Sequence, residues 1–371
     1  LVSAEGLRAV RAHFKLGTFA TNCSGGMSIT KVPERWAADW GDNLALARML
    51  DAAGIDFMLP IARWIGYGGE TDFQGHSLET ITWTAGLLAA TSHIHVFATV
   101  HTGLHNPVVV AKQMATIDQI GRGRGGLNIV AGWNEPEYRA LGLKLPRDHA
   151  TRYAIAQEWF AIIEALWERD APFDWQGEYF TLEQVYGKPR PRRRPPIINA
   201  AGSGEGRIFA LRNSDYLFTP VIDLDRSRDE VAQLKAKAEA AGRRIEVLTL
   251  AHVVCRPTVR EAQDYVRHFT GAMIDQPALD RLMNLQFAFA KSSPPEELLK
   301  IRDRVAMGHG GFPLIGTPEM VAEGLIALNR AGFDGTTISF VNYADEFPHF
   351  RDSVLPLLEE AGIRQPFLTT C

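Results

Sequence analysis

Eight short, nearly uninterrupted apolar runs, each followed by a helix-like stretch, set the strongest limit on what this chain can fold into. The runs lie at 13–21, 56–62, 93–100, 125–132, 195–201, 215–221, 245–255 and 335–343. Runs that are apolar throughout, not merely at alternate positions, belong to parallel strands covered on both faces. Parallel neighbours need a crossover between them, ordinarily a helix. The intervening segments supply one each time. Over 36–54, Leu44, Ala47, Met49 and Leu50 recur at helical spacing and Gly54 stands where the helix stops. Segment 78–91 is a second helix, and 106–121 a third, with Asn106 as N-cap and Pro107 at its first position. Segment 148–168 carries an apolar stripe of Tyr153, Ala156, Phe160, Ile163 and Trp167, and 347–362 is a final helix. Eight βα units predict a (β/α)8 TIM barrel forming one domain over 1–371. The competing architecture is an open doubly wound sheet with a second domain.

Two connections are longer than a barrel needs: 62–77 after the second strand, and 270–316 between the seventh and eighth. Both leave the C-terminal ends of strands, where barrel active sites form. They read either as lid and substrate wall or as dimer contacts. Segment 173–183 has the pattern of a hairpin on the rim, and the basic, proline-stiffened 188–196 that of a solvated loop.

Thirty-nine basic against 43 acidic residues give a net charge of -4. That balance excludes the basic field of a nucleic-acid or anionic-membrane binder. No apolar stretch reaches the length of a membrane span, and Glu5, Arg8 and Arg11 interrupt what a signal peptide needs as its apolar centre. Cys23, Cys255 and Cys371 are scattered and odd in number, forming neither a disulfide framework nor a zinc site. A cytoplasmic, reducing setting is the expectation.

The chemistry-bearing candidates fall at strand ends. Gly121, Gly123 and Gly126 spell G-x-G-x-x-G, but they follow a helix and precede a strand, the reverse of a dinucleotide fingerprint. The segment 201–207 (AGSGEGR) has the right context: it follows a strand and opens a helix. Gly202, Gly204 and Gly206 let backbone N–H groups converge, and Ser203 adds a hydroxyl. Such a segment is either a phosphate cradle or a tight turn. Asn128 sits mid-strand with Leu127 and Ile129 on the opposite face, so its amide needs partners, from a flat heterocycle or from neighbouring backbone. Glu137, Arg152 and Tyr153 follow closely, and a Glu–Arg pair there is structural or functional. His101 and His105 have zinc-helix spacing but lie in a loop before Pro107, with no third ligand nearby. No metal site is expected, and the two imidazoles read as pocket contacts or proton donors. No G-x-S-x-G elbow supports nucleophilic hydrolysis.

Several of these stretches, in this order, resemble the bacterial luciferase-like flavin monooxygenases. They are GIDFMLPIARWIGYGG (54–69), 77–99, HNPVVVAKQMATIDQIGRGRGGLNIVAGWNEPEYRALG (105–142), 149–167, FDWQGEYF (173–180), AGSGEGR, and GFPLIGTPEMVAEGLIALNRAGFDG (311–335). The likeness is strongest to the branch holding pyrimidine, dimethylsulfone and alkanesulfonate monooxygenases. It implies a TIM barrel with an insertion between the late strands and a two-component monooxygenase. Reduced FMN would arrive as a diffusible cosubstrate from an NAD(P)H-dependent flavin reductase. Molecular oxygen would react through a flavin peroxide at C4a or N5 to oxygenate a small organic substrate, and the enzyme would be a homodimer or homotetramer.

The resemblance also assigns positions. Ile61 and Ala62 match the backbone contacts beside the isoalloxazine, Asn128 the amide on the flavin ring, and Glu137 the acidic residue after the strand. Arg152 and Tyr153 match the pair opening the next helix, with Tyr153 reaching the phosphate; Gly202 and Ser203 match the phosphate turn. Thr99 matches the threonine bordering the oxygen site, and Trp64, Tyr67, Trp133, His101 and His105 are the expected substrate wall. HTGLHNP (101–107) departs from the pyrimidine-type TLTLPP-like residues, and dimethylsulfone-type enzymes have a tryptophan near the position of His105. The expectation is a more polar pocket suited to an amide, a sulfonate or an oxygenated ring. Competing functions on such a barrel are hydride transfer by the deazaflavin F420, flavin binding without turnover, and metal-dependent hydrolysis.

Overall fold

The computed structural model describes residues 13–202, 204–221, 223–287, 291 and 294–367. In the first half, β1 (Lys15–Phe19), α1 (Trp40–Ala52), β2 (Phe57–Leu59), α2 (Thr80–Ala90), β3 (His95–His101), α3 (Pro107–Gly121) and β4 (Gly125–Val130) follow the expected alternation. Asn106 caps α3, its Oδ1 accepting from the N–H groups of Val108 and Val109 at 2.9 and 3.4 Å. A cap of this kind contributes about 1 kcal/mol. The glycine-rich turn after α3 is a helix stop, with Arg122 and Gly123 at φ +51° and +88°.

The chain then forms α4 (Glu135–Ala140), α5 (His149–Glu168), the antiparallel hairpin β5 (Phe173–Gln176) and β6 (Thr181–Val185), β7 (Ile197–Ala200), α6 (Gly204–Asn213), β8 (Tyr216–Phe218), α7 (Leu224–Ala240) and β9 (Glu246–Cys255). The last third holds α8 (Val259–Arg267), a π-helical turn (His268–Ala272), α9 (Gln276–Gln286), α10 (Pro295–Gly308), β10 (Phe312–Gly316), α11 (Pro318–Arg330), β11 (Gly335–Ser339), α12 (Tyr343–Ser353) and α13 (Leu355–Glu360).

Eight strands pair in parallel around a closed ring, β1-β2-β3-β4-β7-β8-β9-β11 and back to β1. β10 is additional. It takes the far end of β9, pairing at residues 251–255, beyond the 246–248 segment that β8 occupies. The apolar runs alternate faces once folded. Phe57, Leu59, Phe97, Ile198, Phe218, Leu248 and Leu250 fill the interior of the ring. Met58, Val96, Ala98, Leu127, Ile129, Ile197 and Val247 face the helices in the largest core cluster.

A second apolar layer caps the mouth. Tyr67 and Phe73 from the loop after β2 pack with Ala278, Leu279, Leu282 and Met283 of α9 and with Val305 and Ala306 of α10. Asp275, which caps α9, locks this layer to the loop. Its carboxylate accepts from Glu70 N (3.1 Å), Thr71 N (2.7 Å), Thr71 Oγ1 (2.7 Å) and Ala278 N (3.3 Å). Among the described residues, the long segment 270–316 holds the end of the π-helical turn, α9, α10 and β10.

Candidate active site

Strand alternation sets the floor of the site. Gly126 faces the interior, since a Cβ on it would strike the Phe97 ring at 2.4 Å, and Asn128, two residues on, shares that face. Thr99 and His101 share the face of Phe97 in the same way, and Thr99 lies opposite Asn128 in the register. Thr99 Oγ1 donates its one proton to Pro60 O at 2.6 Å, so it must accept from Asn128 Nδ2, at 3.1 Å. That chain fixes the amide with Oδ1 turned away from Thr99, buried and without a partner. Leaving a buried acceptor unpaired costs about 1–3 kcal/mol, which is why such a group signals a missing donor.

The rim above β2 is held by a residue that the sequence did not mark. Asn22 Oδ1 accepts from Ile61 N at 3.0 Å, while its Nδ2 donates to Ile61 O at 2.8 Å and to Leu78 O at 3.0 Å. Both main-chain groups of Ile61 are therefore engaged within the protein. Ala62, beside it, is buried.

Over this floor lies a buried ion pair. Glu137, on α4, is fully buried, and its Oε1 accepts from Arg63 Nη1 (3.2 Å), Trp64 N (2.9 Å) and Ile65 N (3.3 Å). Its Oε2 has no partner. Arg63 Nε donates to Gln74 Oε1 at 3.3 Å, and its guanidinium lies over the rings of Tyr67 (4.7 Å) and Trp133 (5.5 Å). Tyr67 and Trp133 thus share one wall with Arg63. Trp64 does not; 45% of it is exposed.

The histidines separate. His101 is buried and its Nδ1 lacks a partner; burial, then the neighbouring Arg63 and His105, push its pKa down to about 3. His105 is turned back on the chain, with Nδ1 3.0 Å from His101 O and its own carbonyl accepting from the Trp159 indole at 2.7 Å. Among the described residues no group of three His, Cys, Asp or Glu side chains gathers to hold a metal. His309, at the end of α10, enters the mouth from above. Its ring is 6.5 Å from that of Tyr67, its Nδ1 is buried without a partner, and burial followed by Arg63 pushes it too to about 3.

The glycine-rich turn follows the next strand of the ring. Asn128 pairs with Ile198 of β7, and β7 leads straight into the 201–206 turn and α6. Gly202 and Gly204 have open space where a Cβ would stand. A Cβ on Gly206 would meet the Tyr153 hydroxyl at 2.5 Å, so glycine there lets Tyr153 lie across the first turn of α6. Beside it, Asn199 Nδ2 donates to Ile129 O at 2.6 Å and leaves Oδ1 without a hydrogen-bond partner, as is Arg152 Nε. Ser203 lies outside the described residues.

The structure joins Thr99 to Asn128 and Glu137 to Arg63, sets Arg63 over Tyr67 and Trp133, holds the main chain of Ile61 with Asn22 and lays Tyr153 against Gly206 in the first turn of α6, while Trp64 is turned outward and His105 is bonded back on the chain. Arg63, Asn22, Gln74, Asn199 and His309 were not foreseen. Arg63 sits inside the stretch 62–77, in which the sequence singled out Ala62, Trp64 and Tyr67 but not the arginine between them, and its carboxylate partner is 74 residues away.

The model of the luciferase-like monooxygenase family matches residues 14–335. The FMNH(2)-dependent dimethylsulfone monooxygenase of Pseudomonas fluorescens is 31% identical over 354 residues, spanning 93% of this chain and 94% of that protein. The pyrimidine monooxygenase RutA of Allorhizobium ampelinum is 30% identical over 352 residues, spanning 93% and 96%. Among solved structures, DmoA from Hyphomicrobium sulfonivorans superposes with a TM-score of 0.84 at 20% identity, covering 96% of this chain and 90% of that one. That likeness speaks to the barrel.

Proposed function

The chain belongs to the luciferase-like monooxygenase family, and from that premise we propose that it is an FMNH2-dependent monooxygenase. It takes reduced FMN from a separate NAD(P)H-dependent reductase and uses O2 to oxygenate a small organic molecule. The observation that carries this reading is the orphaned Oδ1 of Asn128, fixed by the Thr99–Pro60 chain one strand away from the open 201–206 turn. A flat ring offering an N–H satisfies the amide, and a phosphate tail reaches the start of α6 beside Tyr153 and Arg152. Orphaned buried acceptors at one end and an uncrowded helix N-terminus at the other are the features a flavin mononucleotide fits.

Reduced flavin, when bound, supplies the electrons that activate oxygen. The chain's part is to orient and to keep water out. Asn128 and Thr99 fix the ring edge, and the backbone at Ile61 and Ala62, stiffened by Asn22, supports its face. Tyr67, Trp133 and the α9–α10 layer close the space above. Fluorescence-quenching titration with FMN, alongside riboflavin and F420, tests the cofactor. Substrate-dependent oxygen uptake with an added flavin reductase tests the activity. Binding of F420 in preference to FMN, or turnover without oxygen, rejects the proposal.

A further inference from the structure

The barrel has a second mouth. Lys15, Phe57, His95 and Tyr216 are the first residues of β1, β2, β3 and β8, so they stand at the end of the ring opposite His101, the last residue of β3. Among the described residues they line, with Phe97 and Leu248, a cavity of about 460 Å³, within the size range of small-molecule pockets. Its floor is apolar and aromatic. Phe57, Phe97 and Leu248 are buried, and the Phe97 ring meets those of Phe57 and Tyr216 edge to face at 6.0 and 6.2 Å. A Cβ on Gly17 would strike the Phe57 ring at 2.5 Å, so glycine there lets that ring lie across the floor. Its rim is basic. His13, Lys15, His93, His95 and Arg364 line it beside the carboxylate of Asp56, which already accepts from Leu16 N and Arg364 and lies 2.7 Å from His13 Nε2. Lys15 is the cation with donors left over. Its side chain is 25% exposed, its ammonium stands 5.9 Å from the centre of the Tyr216 ring, and one of its three protons goes to Glu246. Arg244, 85% exposed, approaches the other oxygen of that same carboxylate at 3.8 Å. Two cations thus share one anion at the edge of the aromatic floor.

We propose that this mouth is a second binding site, separate from the residues around Asn128, for a small aromatic carboxylate. The ring lies on Phe57, Phe97 and Leu248, and the carboxylate takes the protons of Lys15 that no described residue accepts. A neutral ring gains only the floor, and a cation meets Lys15 and the basic rim, so the lining favours an aromatic anion over both. The inference is independent of the monooxygenase reading and holds whichever cofactor the other end of the barrel takes.

Ligand-observed NMR on the full chain tests this with a matched pair, benzoate and benzamide, up to about 20 mM, a range that reads millimolar affinities. Benzoate is expected to bind saturably and about tenfold more tightly than the amide, the worth of one charge-assisted hydrogen bond near a surface. Lys15→Met should erase that preference and Lys15→Arg should keep it. His95→Trp, at an exposed position on the mouth, should block both ligands, so the test stands even where Lys15→Met fails to fold. Asn128→Ala, at the other end of the barrel, should leave benzoate affinity unchanged. Binding of neither ligand, equal affinity for the two, or a preference that persists in a folded Lys15→Met variant overturns the inference. Benzoate affinity that survives His95→Trp, or that falls in Asn128→Ala, overturns it as well.

Discussion

Replacing Glu137 with alanine strips three donors of their acceptor and leaves a guanidinium buried without a counter-charge. Arg63 is 8% exposed and Glu137 0%, and one carboxylate oxygen serves Arg63, Trp64 N and Ile65 N together. Breaking a buried pair from one side costs about 3–5 kcal/mol, mostly the price of the stranded ion. Unfolding entropy near 2.1 cal/mol/K per residue, over 371 residues, gives about 0.8 kcal/mol per degree, so the melting temperature should fall by about 4–6 °C. The double replacement Arg63→Met, Glu137→Leu removes both charges and is expected to recover most of the loss, because apolar substitutes of similar size avoid the desolvation of two ions. Melting curves at one scan rate, with urea titrations of the same three proteins, make the comparison. A loss below about 1 kcal/mol for Glu137→Ala, or a double variant no better than the single one, would show that the pair is hydrated and not held in a dry interior.

Asn128→Ala should weaken FMN by roughly tenfold, the worth of one to two buried hydrogen bonds, with little change in melting temperature; equal FMN affinity rules the amide out as a ring contact. Tyr153→Phe should lower the ratio of FMN to riboflavin affinity about tenfold, because the hydroxyl beside the first turn of α6 is placed to reach the phosphate. His101 and His252 are both held near pKa 3 by burial, while the unfolded chain protonates near 6.5. Between those values the unfolded state binds more protons, so stability rises with pH, by up to about 1.4 kcal/mol per unit for each histidine. Urea titrations at pH 7, 6 and 5 should show that decline, and His252→Gln should remove about a third of its slope, since burial holds His309 near 3 as well. Gly69→Ala places a Cβ 2.2 Å from Asp275 Oδ1 at φ +80°, and is expected to cost about 2 kcal/mol or more in a melting assay.

The barrel was legible because its strands are buried on both sides, and such strands advertise themselves as unbroken apolar runs. Asn106-Pro107 likewise announced a helix start through local chemistry alone, as its two hydrogen bonds show. β10 was not legible. Five residues, FPLIG, with a proline at the second and a glycine at the last, carry too little pattern, and only their pairing with the overlong β9 makes them a strand. The floor of the site was half legible: Asn128 stood out as polar in an apolar strand, but nothing local told that Thr99 would orient it. Arg63 and His309 were hidden for the opposite reason. A charged residue and a histidine in glycine-rich segments look solvated, and only the second apolar layer that folds over them puts them inside.

Two carboxylates from distant elements hold the loop after β2 in place. Glu137 receives the amides of Trp64 and Ile65; Asp275 receives those of Glu70 and Thr71. A loop that turns through Gly68 and Gly69, at φ +66° and +80°, has no ladder of its own to satisfy its backbone, and burying it under α9 would strand those N–H groups. Carboxylates, each able to accept several donors, solve that problem at both ends of the loop. The loop is thus fixed to α4, which follows the floor strand β4, and to α9 of the insertion at once.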